Sequence, residues 1–163
     1  MEFGFSIVGV IFLVMLFAPN ILWAKRPPIG YKELARRENK VLLILERIGE
    51  VACSVCAVIF VSPEGISFPW ALWVCIAFAL MVVYEFAWMR YFRGGRKLED
   101  MYMPFGFIPM PLATLPVIAF LLLGIWYKSL IAILAAIVLG IGHIGIHYGH
   151  LQVVLTWKRR QGR

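Results

Sequence analysis

Charge is scarce in this chain: only 15% of its 163 residues are Asp, Glu, Lys or Arg, where a soluble domain carries about a quarter. Acids are the scarcest, nine against sixteen bases, and there are only three cysteines and three histidines. These shortages exclude several functions. No Gly-x-Ser-x-Gly motif occurs and no serine lies near a histidine, which argues against a hydrolase nucleophile. Phosphate-cradling glycine loops are absent as well. The net charge of +7 comes without zinc-finger spacing, an RNA-recognition signature or a separately folding basic domain, so no nucleic-acid partner is expected.

What the chain has instead is apolar surface. Hydrophobic residues make up 62% and the mean hydropathy is +0.84, which requires lipid as solvent. Runs of about 20 apolar residues match a hydrocarbon core about 30 Å thick. Five occur, at residues 4–24, 41–62, 68–89, 105–127 and 129–151. Helices satisfy their own backbone polar groups in lipid, so the expected fold is all-α: a polytopic membrane protein with five transmembrane helices in a compact bundle. Residues 1–163 form one transmembrane domain whose own core is thin, so membrane lipids and further copies of the chain are the expected partners.

Orientation follows from the connections. Lys25, Arg26, Lys32, Arg36, Arg37 and Lys40 lie in the first, Arg90, Arg93, Arg96 and Lys97 in the third, and Lys158, Arg159, Arg160 and Arg163 in the tail. Fourteen of the sixteen bases thus fall on one side, which places the N-terminus outside and the C-terminus in the cytosol. The first apolar run has no basic residues before it, so it reads as a retained span rather than a signal peptide. Pro27-Pro28-Ile29-Gly30 breaks the chain after it, and Tyr31–Lys40 is expected to begin a helix continuous with the second span. Gly94-Gly95 with Arg93, Arg96 and Lys97 can hold a headgroup phosphate but reads first as a flexible basic turn. Pro104, Pro109, Pro111 and Pro116 forbid a regular helix in the early part of the fourth span.

Ionisable groups inside spans are costly and tend to face a cavity or a partner. Asn20, Glu46, Arg47, Glu50, Tyr84, Glu85, His143, His147 and His150 all fall toward the cytosolic side in this topology. At the helical rise Glu46 and His147 lie about 7 Å deep, and Glu50 and His143 about 13 Å. His143, His147 and His150 share one helix face, as do Glu46 and Glu50. Beside the histidines run Gly142, Gly145 and Gly149, a stripe that admits a closely packed neighbour.

Three meanings remain open. A cytosol-facing polar pocket between the second, third and fifth spans would bind or translocate a small solute, ion or lipid headgroup, using Glu46, Arg47, Glu50, Tyr84, Glu85, His143 and His147. Arg47 would then hold an anionic group. Alternatively His143, His147 and His150 would ligate zinc or iron in a membrane-embedded metal or acid–base enzyme. In the third reading the charges are structural ion pairs. No cofactor is specified.

Cys53-Ser54-Val55-Cys56 resembles the C-x-x-C of quinone-linked disulfide enzymes, but those need further shuttle cysteines and only Cys75 remains. Diiron membrane hydroxylases use more histidines than this chain has. Gly4–Gly9 through Pro19-Asn20, Glu38-Asn39-Lys40 with Glu46-Arg47-Ile48-Gly49, Tyr84-Glu85 with Arg90-Tyr91-Phe92, and Gly140–His147 are similar to a group of small five-helix bacterial membrane proteins. That resemblance implies a shared fold and a place in the bacterial cytoplasmic membrane, without an activity. Arg37-Glu38-Asn39 ahead of Glu46-Arg47 also resembles microsomal glutathione and eicosanoid transferases, whose four-helix pattern does not match.

Overall fold

A computed structural model of the chain describes residues 1–161, so Arg163, counted in the basic tail, lies outside the described residues. The fold is all-α. Its helices are α1 (Ile7–Lys25), α2 (Tyr31–Ala35), α3 (Lys40–Ile59), α4 (Ala71–Arg93), α5 (Pro111–Trp126) and α6 (Leu130–Gln161). Two short strands, β1 (Glu2–Phe3) and β2 (Phe60–Val61), pair antiparallel and tie the N-terminus to the end of α3.

Each of the five expected spans falls on one long helix. Three of these, α1, α4 and α6, are long and apolar enough to cross a membrane. The other two are less plain: α5 has 16 residues and α3 contains Lys40, Glu46, Arg47 and Glu50. Large apolar side chains such as Val14, Ile48, Val51, Phe86 and Leu134 stand exposed around the perimeter. A belt of that kind suits lipid, since soluble monomers rarely expose wide apolar patches.

The shortest long helix is central, with α5 packed between α4 and α6, α3 lying against α6, and α1 at the edge on α3 and α4. Most of α5 is buried, so protein rather than lipid surrounds it. Proline explains its late start. The segment 105–110 forms a turn, Met110 takes a left-handed backbone (φ +45°), and Pro111 opens the helix where its missing N–H is harmless. The carbonyls just ahead of this turn are satisfied by protein: the Arg90 guanidinium donates to Pro104 O at 2.6 Å and Met103 O at 2.9 Å.

The first connection also departs from expectation. α2 stops at Ala35, and α3 restarts at an N-cap whose Asn39 Oδ1 accepts from Val41 N at 2.8 Å. A capping side chain on extended backbone favours a fresh helix start over continuation.

The long helices alternate in direction and give the bundle two ends. One carries the strands, residues 62–70 and the α5–α6 turn, with Lys128 paired to Glu64 at 2.7 Å. At the other, which we call the basic end, Gly30 approaches Leu98 and Trp157, so both long basic connections meet the last turns of α6.

Candidate functional site

The site begins where two backbones touch. A methyl group on Gly142 of α6 would overlap the Glu46 backbone of α3, and one on Gly49 would overlap the backbone of Leu139. Small residues allow such an approach and draw van der Waals packing from it. Gly145 lies against the Leu42 side chain, whereas Gly149 faces open space, so the expected glycine stripe works only over its first two members.

This approach presses Glu46 onto the histidines. Glu46 is buried, and its Oε1 lies 2.5 Å from His143 Nδ1. One turn further along α6 the His147 ring follows, its centroid 4.5 Å from that of His143. Its Nδ1 is buried without a hydrogen-bond partner. His150 comes next, with ring centroids 6.1 Å apart, and is only 4% exposed. Its Nδ1 shares a 3.0 Å hydrogen bond with the Tyr102 hydroxyl. Its Nε2 sits 3.2 Å from Glu38 Oε1, a contact that is ionic only when the ring is protonated and that is not aligned for a hydrogen bond.

Aromatic rings enclose this row. Tyr31 and Tyr102 each stand edge-on to His150, Tyr102 also leans on His147, and Trp23 braces Tyr31 at 4.6 Å. Burial, aided by the charges of Glu38 and Glu46, pushes the Tyr31 hydroxyl up to about 12. Tyr102 is raised too, chiefly by burial. Both phenols therefore keep their protons at neutral pH and can donate. Glu38 is raised above the ordinary carboxylate value by burial first and by Glu46 second, with Arg47 opposing.

Other expected members lie elsewhere. Arg47 and Glu50 pair with each other at 2.7 Å, their side chains 70% and 42% exposed. The expected anion-holding role for Arg47 inside the pocket is thereby corrected. Once Glu46 and Gly49 face α6, a turn of about 100° per residue carries Arg47 to the perimeter, and Glu50 leans toward it. Tyr84 is buried, but its hydroxyl accepts from Asn20 Nδ2 at 2.8 Å, on the side facing α1. Glu85 joins no ion pair among the described residues, and one of its oxygens is buried without a partner. The third predicted span thus adds nothing to the histidine row, because α4 packs on α5 and α1.

No three His, Cys, Asp or Glu side chains among the described residues are arranged to hold a metal ion. Two of the three proposed ligands already face carboxylates, so His143, His147 and His150 form a row rather than a converging set. Cys53 and Cys56 are buried free thiols, and Cys75 is exposed.

Glu38, Tyr31 and Tyr102 were not singled out for the site from sequence. Their signal was faint: a carboxylate just before a helix cap, and tyrosines within two basic connections. No protein-family model, curated protein or solved structure matches the chain.

Proposed function

We propose that this chain is a five-span membrane protein, basic end in the cytosol, whose histidine row takes up protons or a small cation from that side and couples them to passage of a small solute. The concentration of Lys and Arg at one end supports the orientation. Enclosure of α5 by its neighbours, and the facing of Glu46 onto α6, support counting α5 and α3 as spans.

The observation that carries the reading is the row itself, in which two carboxylates bracket three imidazoles from Glu38 at the connection to Glu46 inside the bundle. Imidazole and carboxylate exchange protons within the physiological range, and intramembrane ionisable groups mark ion pathways. With Nδ1 of His143 engaged by Glu46, its Nε2 is the nitrogen left to take or release a proton toward His147. Tyr102 and Tyr31 hold the His150 ring in place and restrict water at the mouth.

Arg47 and Glu50, charged and outward-facing on a span, support association of copies through α3, since charges facing lipid are expensive. Loss of a cross-linkable dimer in an Arg47→Leu, Glu50→Leu variant is the expected result.

The test is proton entry into vesicles containing the purified protein and an entrapped pH dye, driven by a pH gradient with potassium and valinomycin present. Entry above protein-free vesicles, lost in Glu46→Gln, is expected. Equal rates in both would sink the reading. A second reading has its own support: the Glu46–His143 contact sits at the closest backbone approach of α3 and α6, as a static clamp would. A clamp predicts that Glu46→Gln lowers the melting temperature of a protein that never passes protons.

A further inference from the structure

We propose that a cavity at the basic end, separate from the histidine row, binds the phosphate of an anionic phospholipid headgroup. The cavity has a volume of about 370 Å³ and lies between the turn after α4 and the last turns of α6. Ligand sites commonly span about 300–1,000 Å³, so a glycerophosphate group fits.

Its lining is amphipathic. Arg96, Lys97 and Lys158 face a single carboxylate, Glu99, leaving an excess of positive charge. Trp157 and Ile29 supply the apolar wall, and Ile29 is 97% exposed at the rim. A free anion uses only the cations, whereas a lipid uses both surfaces: its phosphate meets the cations and its acyl chains meet Trp157 and Ile29.

The turn at Gly94-Gly95 has a defined shape in the structure. Arg96 holds a left-handed backbone (φ +58°), its N–H donates to Tyr91 O at 3.3 Å, and its guanidinium lies 5.3 Å over the Phe92 ring. These contacts favour one placement of Arg96, and a side chain placed in advance lowers the ordering cost of binding.

Depth selects the lipid. From Leu130 to Lys158 the helix rises about 42 Å, beyond a hydrocarbon core of about 30 Å and level with the headgroups of a bilayer about 40–45 Å thick in all. Tryptophan favours that level.

The experiment is native mass spectrometry of the detergent-purified protein titrated with phosphatidylglycerol, with phosphatidylcholine or with inorganic phosphate. We expect retention of phosphatidylglycerol over phosphatidylcholine, and a loss of at least about tenfold in its affinity in Arg96→Gln, Lys158→Gln, as two charge-assisted contacts disappear. Both side chains lie at the surface end of the bundle, and an unchanged melting temperature would show that the variant folds. Equal retention of the two lipids, unchanged phosphatidylglycerol affinity in the double variant, or binding of inorganic phosphate alone would each overturn the proposal. Proton entry should be the same in this variant as in the parent protein, so failure here leaves the histidine row untouched.

Discussion

The two ends of the bundle solve the same problem with different chemistry. At the N-terminal end, Ser6 Oγ donates to the Tyr127 hydroxyl at 2.8 Å, and that hydroxyl donates to Ala57 O at 3.0 Å. Trp70 and Trp126 donate their indole N–H groups to Trp126 O and Gly65 O. These contacts are neutral, and the Lys128–Glu64 ion pair at that end is exposed. Toward the basic end, beside the neutral Asn20–Tyr84 hydrogen bond, Glu46–His143, His150–Glu38 and His150–Tyr102 involve groups that gain or lose protons. Neutral hydrogen bonds hold one arrangement at any pH, whereas ionisable ones allow an arrangement to depend on its proton content. One end joins its buried elements through neutral groups, while the other places ionisable ones at the closest approach of two helices.

The strongest way to break the contrast is to separate α3 from α6. Gly142→Leu should destabilise by about 3 kcal/mol, because the new side chain meets backbone that no rotamer change can clear. Gly149→Leu, at a position facing open space, should stay within about 0.5 kcal/mol in the same detergent unfolding measurement. A similar cost for both would mean that the glycine contact is not what joins the helices.

Next in size, Glu46→Ala should cost about 2 kcal/mol by leaving a partly buried imidazole unpaired, against about 1 kcal/mol for Tyr127→Phe at the neutral end. Only the first should alter proton entry.

The comparison sharpens with pH. Glu38 is raised above its ordinary value of 4.5, so the folded protein binds that proton more tightly than the unfolded chain does. Its contribution to stability is therefore complete at low pH and is lost as pH rises from 4.5 through the folded value. Melting temperature measured across this window should show a slope that Glu38→Gln flattens and Tyr127→Phe leaves alone.

The smallest effect is expected from the exposed pair. Arg47→Gln, Glu50→Gln should change the unfolding free energy of the monomer by less than about 1 kcal/mol, since the pair is accessible and local. A large loss would show that these side chains do structural work within one chain.

The helices were readable because length and apolar content are local properties. The proline-delayed start of α5 and the histidine stripe were readable for similar reasons: Pro109 and Pro111 act on their own backbone, and residues three or four apart share a helix face. Rotation of each helix about its axis was not readable. Hydropathy treats Glu46, Arg47 and Glu50 alike, while the contacts of Gly49 and Gly142 decide which of them turns inward. The same ambiguity assigned Glu85 to a pocket that its helix does not reach. Glu38, Tyr31 and Tyr102 escaped because their positions depend on how distant connections fold over α6, and no periodic pattern encodes that.

The grip of Arg90 on the carbonyls of Met103 and Pro104 reaches further than the backbone groups it satisfies. Those residues directly follow Tyr102, the phenol that touches His150. Although α4 lends no side chain to the row, it is fastened to the strap that carries this phenol. The placement of α4 is therefore felt at the phenol through the backbone between them, without any direct contact between α4 and the row.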